Sequence, residues 1–219
     1  MTLYAVMAMM TIFAIGLLAI APSVQQEIQR EKEVEAIHRG EEVAEAIKHY
    51  VMHYQGAKLP NSIDDLLEGL PRGTKKVQIL RASAAIDPLS EDGKWRLIKA
   101  DIDNLGGFAR RVQNYNNGLL PSNPTQLFDR YALVLVNSLN TDLDSDDEAD
   151  DEIDFVTENT PFIGVASQSR SKSVIAYYGI ENHSKWIFTP LFRGTGRNTA
   201  IPITKRPAPQ SLTDLQPTR

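Results

Sequence analysis

Acidic side chains are concentrated in one short run of the chain, where they are close enough to bind a cation. Residues 142–154 contain nine Asp or Glu residues and no Lys or Arg. Carboxylates at alternate positions can turn toward one centre, and Ca2+ takes about six to eight oxygen ligands. The candidate ligands are Asp142, Asp144, Asp146, Asp147 and Asp150. Asp147 and Ile153 replace the glycine and glutamate of an EF-hand loop, so a solvated charge run explains the pattern equally well.

No other reactive side chains have the spacing of a known catalytic motif. Four serines alternate in one stretch, without nucleophile-elbow glycines or a recognisable His and Asp partnership: Ser167, Ser169, Ser171 and Ser173. His49 and His53 are one helical turn apart but lack the adjacent glutamate of a catalytic zinc helix. His38 and His183 are isolated in the sequence. We therefore predict that the protein is not an enzyme.

Composition restricts the partners that the chain can have. The net charge is −5, and because the acidic run alone contributes −9, the rest of the chain carries +4. No basic patch interleaved with aromatic residues is present, which argues against nucleic-acid binding. The chain has no cysteine, so its fold depends on packing rather than on disulfides.

The first 24 residues contain no charged side chain. As a helix they would span about 36 Å, enough to cross a hydrocarbon core of about 30 Å. No basic residue precedes this segment, so we expect that a short basic leader was removed just before Met1. Its small residues suit close packing between helices, either in a membrane or in a bundle: Ala5, Ala8, Ala14, Gly16, Ala19 and Ala21.

The helix is predicted to continue through residues 25–55 as an amphipathic segment. Apolar or small residues recur at steps of three or four, which is one helical face: Val34, Ile37, Gly40, Ala44, Ile47, Val51 and Tyr54. Pro22 has no amide hydrogen to donate and should kink or loosen the helix, and Gly16 weakens the same part. The amphipathic half should pack against the domain that follows it.

Residues 56–193 are predicted to form a globular α+β head, and residues 194–219 an extended tail rich in proline and threonine. A short helix capped by Asn61 or Ser62 is expected first, followed by a strand at 94–98. Residues 101–130 have no clear period and are interpreted as a loop insertion, followed by a buried strand at 131–136. Strands at 161–167, 173–178 and 185–190 should form an antiparallel meander, with a turn at 181–184 closing its last hairpin.

Several segments resemble those of type IV pilins and type II secretion pseudopilins. Met1, Thr2, Leu3 and Pro22 match the register of a mature pilin N-terminus. Three further segments resemble motifs of the major pseudopilins, in the same order: LPNSIDDLL at 59–67, the turn from Asp87-Pro88 to Lys94-Trp95, and PFIGVAS at 161–167 with the following Lys172-Ser173 and Trp186. The resemblance covers residues 1–100 and 131–190, and excludes the insertion and the tail.

The resemblance implies a long N-terminal helix packed on a small antiparallel sheet, and a structural role as the subunit of a helical pilus or pseudopilus. It implies cleavage and methylation at Met1, and an assembly helix that includes Thr2, Leu3, Ala5, Gly16 and Pro22. Before assembly the subunit would lie in the bacterial inner membrane. It would then join a periplasmic pseudopilus or an extracellular pilus with the help of the assembly machinery, serving protein transport or cell adhesion. The major pseudopilins also have a calcium loop near the position of the acidic run.

One departure from the family leaves a second interpretation open. Most pilins have a glutamate at the fifth position, where it neutralises the N-terminal amine of the next subunit, whereas this chain has Ala5. Some minor, tip-located pseudopilins share this departure. The alternative is therefore a tip pseudopilin that forms no filament alone, or a membrane-anchored periplasmic binding module.

Overall fold

The computed structural model describes residues 2–121, 126–128, 131, 156–157, 159–193 and 200–201; within these, it does not describe the side chains of residues 2, 17–23, 102–104 and 200–201. It confirms the predicted α+β class and the long N-terminal helix. Helix α1 (Thr2–His53) has 52 residues. Its helical backbone continues through Gly16 and Pro22 without a break, so the expected loosening does not end the helix there.

One face of the second half of α1 packs against the head. The predicted positions Gly40, Ala44, Ile47 and Val51 are buried, as the sequence period indicates. At the start of this half the buried face is rotated by one position, because Val34 is 48% exposed and Glu33 is fully buried in its place. An apolar pattern therefore located most of the contact face but not the residue at its beginning.

The helix that follows is short and capped as predicted. Helix α2 (Ile63–Leu67) has Ser62 as its N-cap, and the Ser62 hydroxyl accepts from the amide of Asp65. The Asp65 carboxylate accepts in return from the Ser62 amide, which completes a capping box. Leu66 is fully buried and joins α2 to the core.

The strands form small antiparallel sheets. Their bounds are β1 (Leu70–Arg72), β2 (Lys75–Val77), β3 (Arg96–Ile98), β4 (Leu120–Pro121), β5 (Gly164–Ala166), β6 (Lys172–Tyr177), β7 (Ile180–Asn182), β8 (Ile187–Phe188) and β9 (Ala200–Ile201). The central sheet has the order β3-β5-β8, and β1-β2, β4-β9 and β6-β7 are separate pairs. Short 3-10 helices occur at Gln126–Phe128 and His183–Lys185.

The predicted meander of three strands is wrong in its pairing. Strands occur in all three predicted segments, but β5 pairs with β3 and β8, whereas β6 pairs with β7. The turn of that hairpin lies at Tyr178 and Gly179, where both φ angles are positive (49° and 75°), as a tight two-residue turn requires. The predicted turn at 181–184 is instead the end of β7 and the 3-10 helix.

The loop predicted for residues 101–130 is also wrong in part, because residues Ile102–Tyr115 form helix α3. Leu105, Phe108, Ala109 and Val112 are buried, and their spacing of three, one and three is a helical stripe. The adjacent glycines and the asparagines at the end of the segment hid this stripe from the sequence analysis. The predicted strand at 131–136 lies outside the described residues apart from Tyr131, whose backbone is helical.

The tail prediction can be compared with the structure at two residues only. Ala200 and Ile201 are extended and form β9, which pairs antiparallel with β4. The rest of residues 194–219 lies outside the described part of the chain.

Aromatic side chains from several elements meet in the core beside α1. Trp95, Trp186 and Phe188 are at most 1% exposed. The Phe188 ring lies edge-on to Trp95, with 5.8 Å between the ring centroids, and 5.2 Å from Tyr177. A Cβ atom at Gly40 would overlap the Phe188 ring, so α1 comes this close to β8 because residue 40 has no side chain.

We expect Gly40→Ala to lower the free energy of unfolding by about 1–3 kcal/mol, since the added methyl group displaces a fully buried ring. Gly107→Ala is the matched control: Gly107 also lies within a helix, but a Cβ there meets nothing within 4 Å. It should leave stability unchanged or raise it by up to about 1 kcal/mol through helix propensity. Urea unfolding followed by circular dichroism measures both. Equal effects of the two substitutions would contradict the close approach at Gly40.

Candidate functional site

The described side chains of the apolar segment are exposed and are not packed against the described part of the head. Nine large apolar side chains between residues 3 and 15 are each at least 53% exposed: Leu3, Tyr4, Val6, Met7, Met9, Met10, Ile12, Phe13 and Ile15. They lie all round the helix rather than on one face. The first fully buried residue that the structure describes on α1 is Glu33. Among the residues that the structure describes, burial by the head therefore begins in the second half of α1.

The predicted assembly residues lie in this uncovered part. Thr2 is the first described residue of α1, Leu3 is 69% exposed, Ala5 and Gly16 are exposed, Pro22 has helical backbone, and Met1 is outside the described residues. A Cβ at Gly16 would meet nothing within 4 Å. A search restricted to the described residues identified no helix that is long and apolar enough to cross a membrane.

The candidate calcium ligands cannot be placed. Asp142, Asp144, Asp146, Asp147 and Asp150 all lie outside the described residues, so calcium binding stays a prediction. Across the ranges that the structure describes, no group of three or more His, Cys, Asp and Glu side chains is arranged to hold a metal ion.

The contact between α1 and the head is organised around the buried carboxylate of Glu33. The backbone amide of Val174 donates to both carboxylate oxygens at 2.9 and 3.0 Å, and that of Ile175 donates at 2.8 Å. His183 Nε2 lies 2.9 Å from Glu33 Oε1, and Gln29 Nε2 donates to the same oxygen at 2.9 Å. One carboxylate of the helix therefore binds a strand, the 3-10 helix and its own preceding turn.

An irregularity in β6 makes this carboxylate site possible. Lys172 pairs with Asn182 and Tyr177 pairs with Ile180, so four residues of β6 face a single residue of β7. In a regular ladder, successive amides point to opposite sides of the strand. Here the consecutive amides of Val174 and Ile175 both reach Glu33. The Glu33 carboxylate satisfies donors that the hairpin itself leaves without a strand partner.

The hydrogen bonds keep Glu33 ionised despite its burial. Burial raises the pKa of this carboxyl, but the donors from Val174, Ile175, His183 and Gln29 outweigh it, and the net pKa is below the ordinary value of 4.5. Because an ionised carboxylate only accepts, His183 Nε2 must carry a hydrogen toward it. In the neutral imidazole the other ring nitrogen, Nδ1, is then an acceptor, and it lies 3.4 Å from Ser169 Oγ.

A second buried carboxylate adjoins this cluster. Asp87 is 1% exposed and accepts from the Ser167 hydroxyl at 2.7 Å and from the Leu89 amide at 2.9 Å. Burial raises the pKa of Asp87, and these hydrogen bonds oppose the rise. The Ser167 hydroxyl in turn accepts from the Ser169 amide at 3.1 Å. Asp87 thus links the turn before β3 to Ser167, the residue that follows β5.

A second carboxylate of α1, Glu41, holds the head further along the helix. The Tyr177 hydroxyl donates to Glu41 Oε1 at 2.6 Å, and Arg193 forms an ion pair with Oε2. Burial, and then the neighbouring carboxylate, raises the pKa of Tyr177, so the phenol stays protonated as a donor. A cavity of about 10 Å3 borders Tyr177 and Arg193, which is room for about one water and too small for an organic ligand.

Sequence reasoning missed Glu33, His183 and the serine beside them. His183 is isolated in the sequence but not in the structure, because its Nε2 lies 2.9 Å from Glu33 Oε1 across 150 residues of chain. One signal was available: Glu33 precedes the buried Ala36 and Gly40 by three and seven positions, which places it on their helical face. A single sequence does not show which strand amides such a glutamate will meet.

The chain was compared with protein-family models, with curated proteins and with solved structures, and none of the three comparisons gave a match.

We expect Glu33→Gln to lower the free energy of unfolding by about 2–4 kcal/mol, because an amide cannot accept from all of these donors and leaves buried groups unsatisfied. Glu35→Gln is the matched control on the same helix: Glu35 is 52% exposed and pairs with Arg39, so its loss should cost at most about 0.5 kcal/mol. Chemical unfolding of both variants at pH 7 tests this. A Glu33→Gln protein as stable as the control would show that the carboxylate does not hold the hairpin.

The stability that Glu33 contributes should depend on pH. Its pKa in the folded protein is below 4.5, so the contribution is complete above pH 4.5 and is lost as the pH falls through the folded-state pKa. The difference in unfolding free energy between the wild type and Glu33→Gln should therefore shrink below pH 4.5. Asp87 titrates in both proteins and cancels in this difference. A difference that stays constant down to the acid unfolding limit would contradict the lowered pKa.

Proposed function

We propose that this chain is a structural subunit of a helical filament of the type IV pilus or type II pseudopilus kind, assembled through the first half of α1. The observation that carries the proposal is the exposure of nine large apolar side chains all round an uncovered helix. The largest apolar patch on a monomeric soluble protein is about 300–600 Å2. A helix that is apolar on every side is suited to burial on every side.

Packing between copies supplies such burial. Each apolar side chain that passes from water to a helix bundle contributes roughly 25 cal/mol per Å2. The exposed Ala5 and Gly16 have little or no side chain, which lets neighbouring helix backbones approach closely. In the proposed filament the first half of α1 forms the core, and the heads form the outer surface.

The attachment of the head to α1 supports the same arrangement. Glu33 and Glu41 each bind strand residues of the head, and Gly40 brings the helix against Phe188. A head fixed rigidly to its helix transmits the packing of the cores to the outer surface. We propose that the subunit resides in the inner membrane before assembly and then enters a pseudopilus or pilus, driven by a separate assembly machinery.

Ala5 supports a second candidate, in which the subunit caps a filament or stays anchored alone. A glutamate at this position would neutralise a buried N-terminal amine, and an alanine cannot. In this alternative the apolar helix stays in lipid, and the head acts as a binding module. The two candidates differ in whether many copies of this chain occur in one fibre.

Negative-stain microscopy with immunogold labelling of sheared surface and periplasmic material from producing cells tests the proposal. We expect fibres labelled along their length, and expect Ile12→Asp to abolish them, because a carboxylate would be buried between apolar helices. Gln26→Asp adds the same charge at an exposed polar position and should leave fibres intact. Label at fibre ends only would indicate a tip subunit, and label confined to membranes as monomers would contradict assembly.

A further inference from the structure

Three polar side chains form a continuous series of contacts next to the β6-β7 hairpin. Ser169 Oγ lies 3.4 Å from His183 Nδ1, and His183 Nε2 lies 2.9 Å from Glu33 Oε1. This is the order of groups that activates a serine: a hydroxyl, an imidazole, and a carboxylate that orients the imidazole. The hydroxyl–imidazole distance is at the outer limit of a hydrogen bond, so attack would require the two groups to move slightly closer.

The hydrogen bonds to Glu33 select the tautomer of His183 that could activate a serine. Glu33 accepts from two backbone amides and is ionised, so in the neutral imidazole the hydrogen is on Nε2. The lone pair of Nδ1 then faces the Ser169 hydroxyl. The imidazole cannot turn easily, because it is 2% exposed and lies edge-on to Trp186 with 4.9 Å between ring centroids.

The serine is accessible whereas its partners are not. Ser169 is half-buried, and Arg170 and Ser171, which follow it, are exposed. The amide of Ser171 donates to Ser169 Oγ at 3.4 Å, which leaves the hydroxyl hydrogen able to point toward His183 Nδ1. Glu33 and His183 are buried beneath it. Ser169 is therefore the member of the cluster that lies nearest to solvent.

We propose that Ser169 is a nucleophilic serine that accepts acyl groups from activated esters or thioesters. Ser169 Oγ attacks the acyl carbonyl carbon, and His183 Nδ1 takes the hydroxyl proton. The new Oγ–carbon bond forms as the bond to the leaving alkoxide or thiolate breaks, and His183 gives the proton to that leaving group. Glu33 is a positioning residue, because within this cluster it contacts the imidazole and not the reacting atoms.

This site is independent of filament formation, because all three residues belong to one chain.

The first experiment treats the chain in detergent with p-nitrophenyl acetate. We expect a burst of about one p-nitrophenolate per chain, and an acetyl group on the peptide that contains Ser169. Ser169→Ala should lose both, and Ser83→Ala should keep both, since Ser83 is an exposed serine outside this cluster. Equal acetylation of the two variants would overturn the proposal.

A second experiment uses serine-to-cysteine substitutions, which change the side chain by a single atom. The chain has no cysteine, so Ser169→Cys and Ser171→Cys each create a single thiol. An imidazole in contact favours the thiolate, so we expect iodoacetamide to alkylate the cysteine at 169 at least about tenfold faster than the cysteine at 171 near pH 6. Circular dichroism confirms that both variants are folded. A thiol at 169 that reacts no faster than the exposed one at 171 would show that His183 does not activate this position.

Discussion

The structure depends on one carboxylate placed on a helix face that is otherwise apolar or small. Glu33 is fully buried, and four donors from the hairpin, the 3-10 helix and α1 itself converge on it. Burying a carboxylate is costly unless donors replace its hydration. Here two of the donors are backbone amides and two are side chains, and together they keep Glu33 ionised and hold its partners in place. Removing it would leave amides of β6 and the imidazole without their acceptor, which is why it is worth more than a surface ion pair.

The sequence predicts those parts of the fold that follow from local rules. The short helix capped at Asn61 or Ser62 and the helical period through Gly40, Ile47 and Val51 were both predicted correctly, because each is decided by residues within a few positions of one another. The helix at 102–115 was equally local, and its buried stripe was present but obscured by glycines. That failure was one of interpretation rather than of missing information.

The pairing of strands and the polar cluster could not be predicted in this way. Whether β5 pairs with β6 or with β8 depends on contacts between segments far apart in the chain, and the hairpin turn at Tyr178 departs from the usual asparagine or glycine at its first position. The Glu33–His183 contact is similarly non-local. The spacing of Glu33 from Ala36 and Gly40 placed a glutamate on the contact face. The amides that stabilise it arise from an irregularity in β6, which the residue types of β6 do not predict.

The carboxylate of Glu33 also has a consequence for unwanted association. A strand edge with free amides is a template on which the strand of another molecule can add, and this is a common route to aggregation. In β6 that side is closed: Glu33 covers the amides of Val174 and Ile175, and Gln29 covers the carbonyl of Lys172. In the proposed filament, many copies of the head lie close together. A closed edge then prevents a strand of one head from pairing with the sheet of its neighbour.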